Sequence, residues 1–189
     1  MFKPIYIIGF SGNRPNGDPG RTWTDIEAKR PAVSRALDQL EAALANENGV
    51  LELFSSAAEG ADTIACEVAM ERRMALHLIL PKVIDAFMED FAEASDSVIQ
   101  RTRAIIRYAQ SGENGSTFRV AAVSGSGSAC YEVTNTIILE SADAMLFLWN
   151  GVDTGKEGGA GELLRQTRAL EKPHVVLNTL DPAAEARSS

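Results

Sequence analysis

"VLELFSSAAEGADTIACEVAMERRMALHLILP", residues 50–81, contains the alternation that decides the fold. "VLELF" is an apolar run of strand length. "ALHLILP" is a second, ended by Pro81, whose ring cannot donate to a sheet ladder. Between them, Asp62–Met74 carries apolar residues at helical spacing, introduced by the small-residue turn "SSAAEGAD" (55–62). A strand, a helix and a strand joined by short connections imply a parallel pair with the helix packed across it.

The same alternation extends in both directions. Upstream, "PIYIIGF" (4–10) reads as a buried strand, closed by the irregular loop "SGNRPNGDPGRTW" (11–23). A helix follows over Ala32–Ala45, where Val33, Ala36, Leu37, Leu40, Ala43 and Leu44 share a face, and "NENG" stops it. Downstream, residues 85–110 read as helical in one or two pieces, with a break near Ser95–Ser97. The Gly- and Ser-rich stretch 111–128 reads as a loop. Within it "FRVAAV" is either a short strand or a segment that orders against a ligand. A helix over Ala129–Ser141, a fourth strand in "ADAMLFLWNG" (142–151), a helix in "GGAGELLRQTRALEK" (158–172) and a last strand in "PHVVLN" (173–178) complete the pattern. Residues 1–180 form one domain with a predominantly parallel sheet covered on both faces, and 181–189 read as a frayed tail.

Composition narrows the function. The chain has 189 residues, 45% hydrophobic and 23% charged, which is ordinary for one globular domain. Its apolar start is only about a strand long, so neither a signal peptide nor a membrane span is expected, and the expected location is cytoplasmic. Cys66 and Cys130 lie far apart, and His77 and His174 sit inside apolar runs, so no metal site or disulfide is expected. The formal charge of -8 argues against nucleic acid as a partner, because backbone binding relies on many Lys and Arg contacts.

Chemistry in an open parallel sheet belongs beyond the C-terminal ends of the strands. Three small-residue turns fall there: "GFSGNRP" (9–15), "SSAAEGAD" (55–62) and "WNGVDTGKEGGAGE" (149–162). Each leads towards a helix and can aim backbone N–H groups at an anion. Neither G-x-G-x-x-G nor G-x-x-x-x-G-K-[ST] is present. Arg14 reads either as a partner for a phosphate or as a solvated loop arginine. Asp62 reads first as an N-cap, Glu59 as a solvated charge or an acid/base group, and Trp149 as a core-edge cover or a pocket wall.

Taken in order, "IIGFSGNRP", "LFSSAAEGADTIACEVA" and "SADAMLFLWNGVDTGKEGGAGELL" resemble the SLOG superfamily, which includes the LONELY GUY phosphoribohydrolases and the DNA-processing protein A family. The resemblance implies a single Rossmann-like, three-layer α/β/α domain with a nucleotide-type pocket at the strand edge. It carries Gly12 and Arg14 over in the first turn. In the second it carries Ser55, Gly60 and Asp62, and in the third Trp149, Gly151, Gly158, Gly159 and Glu162. Tyr131 falls where relatives carry an aromatic residue, suited to stacking on a base.

Departures weaken a catalytic role. The phosphoribohydrolase pattern P-G-G-x-G-T-x-x-E is here "EGGAGELL", with no proline, no threonine, and Glu162 closer to the glycines than the pattern's glutamate. One residue on a helix turns a side chain by about 100°. The expected function is therefore binding of a nucleotide or nucleotide-derived small molecule, with sensing as one use of it. The alternatives are an N-glycosidic hydrolase using Glu162 or Glu59, and a regulatory protein acting through a partner surface. No cofactor is required, and the resemblance implies a homodimer.

Overall fold

Strand β1 (Ile5–Gly12) lies at the middle of the sheet, paired in parallel on one side with β2 (Val50–Ser55) and on the other with β5 (Ala144–Trp149). The computed structural model describes residues 3–44, 49–121, 128–153, 155, 158–181 and 187–188. From β1 the chain moves outward through β2, β3 (Ala75–Leu80) and β4 (Thr117–Val120). It then returns to the other side of β1 for β5 and β6 (His174–Asn178). The full order is β4-β3-β2-β1-β5-β6-β7, where β7 (Arg187–Ser188) is a two-residue strand antiparallel to β6. Strand direction of travel thus reverses between β1 and β5. The crevice at their C-terminal ends is the topological switch point.

Period-two alternation sorts the strand residues to two cores. Leu76, Leu78 and Leu80 of β3, with Leu146 and Leu148 of β5, face α2 (Arg30–Leu44), α3 (Ala61–Glu71) and α5 (Asp96–Ser111). Ile79, Met145 and Phe147 face the opposite way, towards α6 (Ser128–Ser141) and α7 (Ala160–Ala169). Helices cover both faces of a parallel sheet, as the apolar runs predict. No described helix is long and apolar enough to cross a membrane.

Three local features differ from the sequence reading. The loop at 11–23 ends in a short helix, α1 (Trp23–Glu27), started by a capping box. Thr22 Oγ1 accepts the Asp25 amide at 3.0 Å, and Asp25 Oδ2 accepts the Thr22 amide at 3.3 Å. The T-x-x-D spacing was legible, but Gly and Pro just before it dominate the reading. Second, "FRVAAV" contributes a parallel edge strand, β4, with His77 opposite Thr117, while 122–127 lie outside the described residues. The strand in "ADAMLFLWNG" is therefore the fifth. Third, the helix between β2 and β3 is capped by Gly60, not by Asp62, which sits within its first turn. Residues 85–110 divide as expected. They form α4 (Ile84–Met88), a 3-10 turn over Glu89–Phe91, and α5, which begins at its N-cap Ser95. Most of 181–189 lies outside the described residues.

Candidate nucleic-acid interface

The three turns meet on one buried residue, Asn13, which is 7% exposed. Its amide donates to Leu148 O at 2.9 Å, its carbonyl accepts the Ala61 amide at 3.0 Å, and its Oδ1 accepts the Asn150 amide at 2.6 Å. One residue of the first turn thereby holds the end of β5, the start of α3 and the third turn. The glycines serve this closure. A Cβ on Gly12 would lie 2.4 Å from Ala61 Cβ. One on Gly60, whose φ is +101°, would lie 2.6 Å from Asn13 O and 2.7 Å from Pro15 Cδ. Gly60 is small because the first turn packs on it.

In the second turn, Ser55 Oγ and Ser56 Oγ donate to Asp62 Oδ2 at 3.1 and 2.8 Å. Asp62 is 4% exposed. Burial pushes its carboxyl pKa up, against the lowering pull of both serines and of the Arg14 charge. Asp62 faces the cleft from its floor, with Ser55 behind it. Glu59 turns away and accepts the Trp23 indole N–H at 3.1 Å.

In the third turn, Gly159 is the N-cap of α7, and Glu162 Oε2 accepts the Gly158 amide at 2.7 Å. Asn135 of α6 donates from Nδ2 to Gly158 O at 2.9 Å. Glu162 is occupied in closing its own turn and faces a side groove with Glu132 and Gln166. Gly151 is exposed and stands outside the cleft.

Between these turns lies an open cleft of about 670 Å³. Gly12, Arg14, Asp62, Tyr131, Trp149, Gly158 and Gly159 line it, while Ser55, Glu59, Gly60, Gly151 and Glu162 do not. Its wall also holds residues that the sequence reading does not single out: Arg21, Ser56, Lys82, Asp90 and Asn135. The Arg14 guanidinium lies 4.6 Å from the centre of the Tyr131 ring, and Lys82 Nζ lies 5.9 Å from it. Asp90 accepts Lys82 Nζ at 2.8 Å on Oδ1 and the Tyr131 hydroxyl on Oδ2. Burial alone would raise the Asp90 pKa, but those two donors and the Lys82 and Arg14 charges hold it below the usual value. Burial, together with the Asp90 carboxylate, pushes the Tyr131 hydroxyl up to about 12 despite Arg14. Lys82 had a signal in sequence, since it follows Pro81 at the C-terminal end of a strand. Asp90 had none.

No family model and no curated protein match the chain. Among solved structures, the chain is similar to DNA processing protein A from Helicobacter pylori, a protein with a unique single-stranded DNA binding mode. The TM-score is 0.54 at 17% identity, over 96% of this chain and 68% of that one. DNA processing protein A from Streptococcus pneumoniae gives a TM-score of 0.54 at 13% identity, over 91% of this chain and 50% of that one. These likenesses show a shared Rossmann-like α/β fold.

They also correct two expectations. The edge is expected from sequence to take a nucleotide or nucleotide-derived small molecule, either held or cut at its glycosidic bond, with nucleic acid unlikely on charge. Both give way to the finding that a protein of this fold binds single-stranded DNA. The physical reason lies in where the charges sit. The value of -8 sums the whole chain, whereas in the cleft Arg14, Arg21 and Lys82 stand against Asp62, Asp90 and Asp153, so the excess of acid lies elsewhere. Several of the acids instead pair on the α2–α3–α5 face, where Glu27 and Glu67 bind Arg30 and Arg101. Within 111–128, Thr117–Val120 is already a strand of the sheet, and the chain shares the Rossmann-like α/β fold of these structures.

Proposed function

We propose that the cleft beyond β1, β2 and β5 binds single-stranded DNA. The observation that carries this reading is the convergence of three cations, Arg14, Arg21 and Lys82, with two rings, Tyr131 and Trp149, along one open groove. Single strands are held by such a combination: cations follow the phosphates, and aromatic faces accept unstacked bases. The single-stranded DNA binding mode of the similar Helicobacter pylori protein supports the same reading. It fits the DNA-processing side of the sequence resemblance and a cytoplasmic location.

The test is fluorescence anisotropy of a labelled thymine dodecamer titrated with the protein at several salt concentrations. Two neutralised phosphates, at Arg14 and Arg21, with Lys82 paired to Asp90, predict that log affinity falls against log salt with a slope of about -1.4. Arg14→Ala weakens binding and reduces the slope by about 0.7. Absence of binding at low salt, or an unchanged affinity in both Arg14→Ala and Lys82→Ala, overturns the reading.

A further inference from the structure

Asp90 is an anion in the wall of the cleft, set directly beside the Lys82 ammonium and the Tyr131 hydroxyl. A phosphate placed against it would be repelled, so a strand lying in the cleft must present something else there. Asp90 is only partly covered, with 22% of its side chain exposed. A carboxylate has about four lone-pair positions. Lys82 and Tyr131 occupy one on each oxygen, which leaves acceptor capacity on both Oδ1 and Oδ2. The contacts also fix an order of groups: the Lys82 ammonium, then Oδ1, then Oδ2. Only one of the three Lys82 N–H donors is needed for Asp90. The wall therefore reads donor, acceptor, acceptor.

We infer that this array reads the Watson–Crick edge of guanine in the bound single strand. The inference rests on the single-stranded DNA reading and adds its base preference. Guanine presents O6, N1–H and the N2 amino group in sequence: acceptor, donor, donor. O6 meets Lys82, N1–H meets Oδ1 and the N2 amino group meets Oδ2. Thymine matches the first two groups, but sets its second carbonyl against Oδ2. Cytosine opposes its amino group to the Lys82 ammonium. Adenine does the same and presents its ring nitrogen to a carboxylate oxygen. Among the four bases guanine alone matches throughout, and the nearby Arg14–Tyr131 pair supplies a flat surface beside it.

The experiment compares four dodecamers by anisotropy: all thymine, and thymine alternating with guanine, inosine or adenine. Wild-type protein is expected to bind the guanine strand about tenfold more tightly than the all-thymine strand. Inosine, which lacks only the N2 amino group, falls between the two. Asp90→Asn brings all four affinities to within about twofold of one another, since an amide offers one acceptor where guanine needs two. Equal wild-type affinity for guanine and thymine strands, or for guanine and inosine strands, overturns the base preference while leaving single-stranded DNA binding standing. Failure to bind any of the four overturns both. The inosine comparison uses the unaltered protein, so the result does not depend on the variant folding.

Discussion

The side-chain oxygen of Asn13 accepts the backbone N–H of Asn150 at 2.6 Å, joining positions 137 residues apart. With the bonds from its own backbone to Leu148 and Ala61, this makes the cleft one braced object rather than three independent loops. A ligand at the switch point meets donors whose positions are set before it arrives, so little ordering cost remains at binding.

Asn13→Ala removes the Oδ1 acceptor and leaves the buried Asn150 amide unsatisfied. The expected cost is about 1–3 kcal/mol. For a chain of this size that lowers the melting temperature by about 2–4 °C per kcal/mol. Thermal unfolding followed by circular dichroism checks it. A melting temperature equal to wild type would show that the bond across the turns contributes nothing.

Gly60 tests the same closure from the other side. A Cβ there meets Asn13 O and Pro15 Cδ, and φ of +101° strains any L side chain. Gly60→Ala is expected to cost about 2–4 kcal/mol, combining backbone strain and overpacking. Gly17 is the control, because its φ is +82° but nothing lies within 4 Å of its added Cβ. Gly17→Ala should cost only the strain, about 1 kcal/mol. Equal losses in urea unfolding would mean that the turn-on-turn contact is irrelevant.

The ease of reading the strands and the difficulty of reading the wall share a cause. Strands buried on both faces, such as "ALHLIL" and "AMLFLW", must be apolar almost throughout, so the sequence announces them. β4 is an edge strand with the mixed pattern "TFRV", which no periodicity distinguishes from a loop. In the site, glycines and Asp62 are visible because turns and helix starts restrict residue choice locally. The contact from Tyr131 to Asp90 joins α6 to a 3-10 turn 41 positions earlier. Neither neighbourhood predicts the other, so that part of the cleft becomes legible only once the sheet has assembled.

On the α2–α3–α5 face, Glu67 receives both Arg30 and Arg101, with 18% of its side chain exposed. Burial opposes ionisation, but both arginines outweigh it and hold its carboxyl below the ordinary value of 4.5. A carboxylate with a lowered folded pKa contributes stability above its unfolded pKa and loses it as pH falls through the folded value. Glu67→Gln should therefore destabilise by about 1–3 kcal/mol at neutral pH, between the values for exposed and buried pairs. The difference from wild type should vanish on acidification below 4.5. Urea unfolding across acid pH measures it, and a difference independent of pH would exclude the charge as its source.

Asp62 should behave in the opposite sense. Burial raises its carboxyl pKa above the ordinary 3.8, with Ser55, Ser56 and Arg14 only partly offsetting that cost. The folded protein then binds this proton more tightly than the unfolded chain does. Stability from Asp62 is complete below 3.8 and is lost as pH rises through its folded value. Asp62→Asn keeps an oxygen acceptor for the two serine hydroxyls and removes the titration. Relative to wild type, the variant should gain stability as pH rises above 3.8 through the raised folded value. Parallel urea titrations of the two proteins isolate this residue from every other carboxylate. If the gap between them stays constant, or closes with rising pH, the carboxyl is fully compensated where it lies and the cleft floor is anionic at neutral pH.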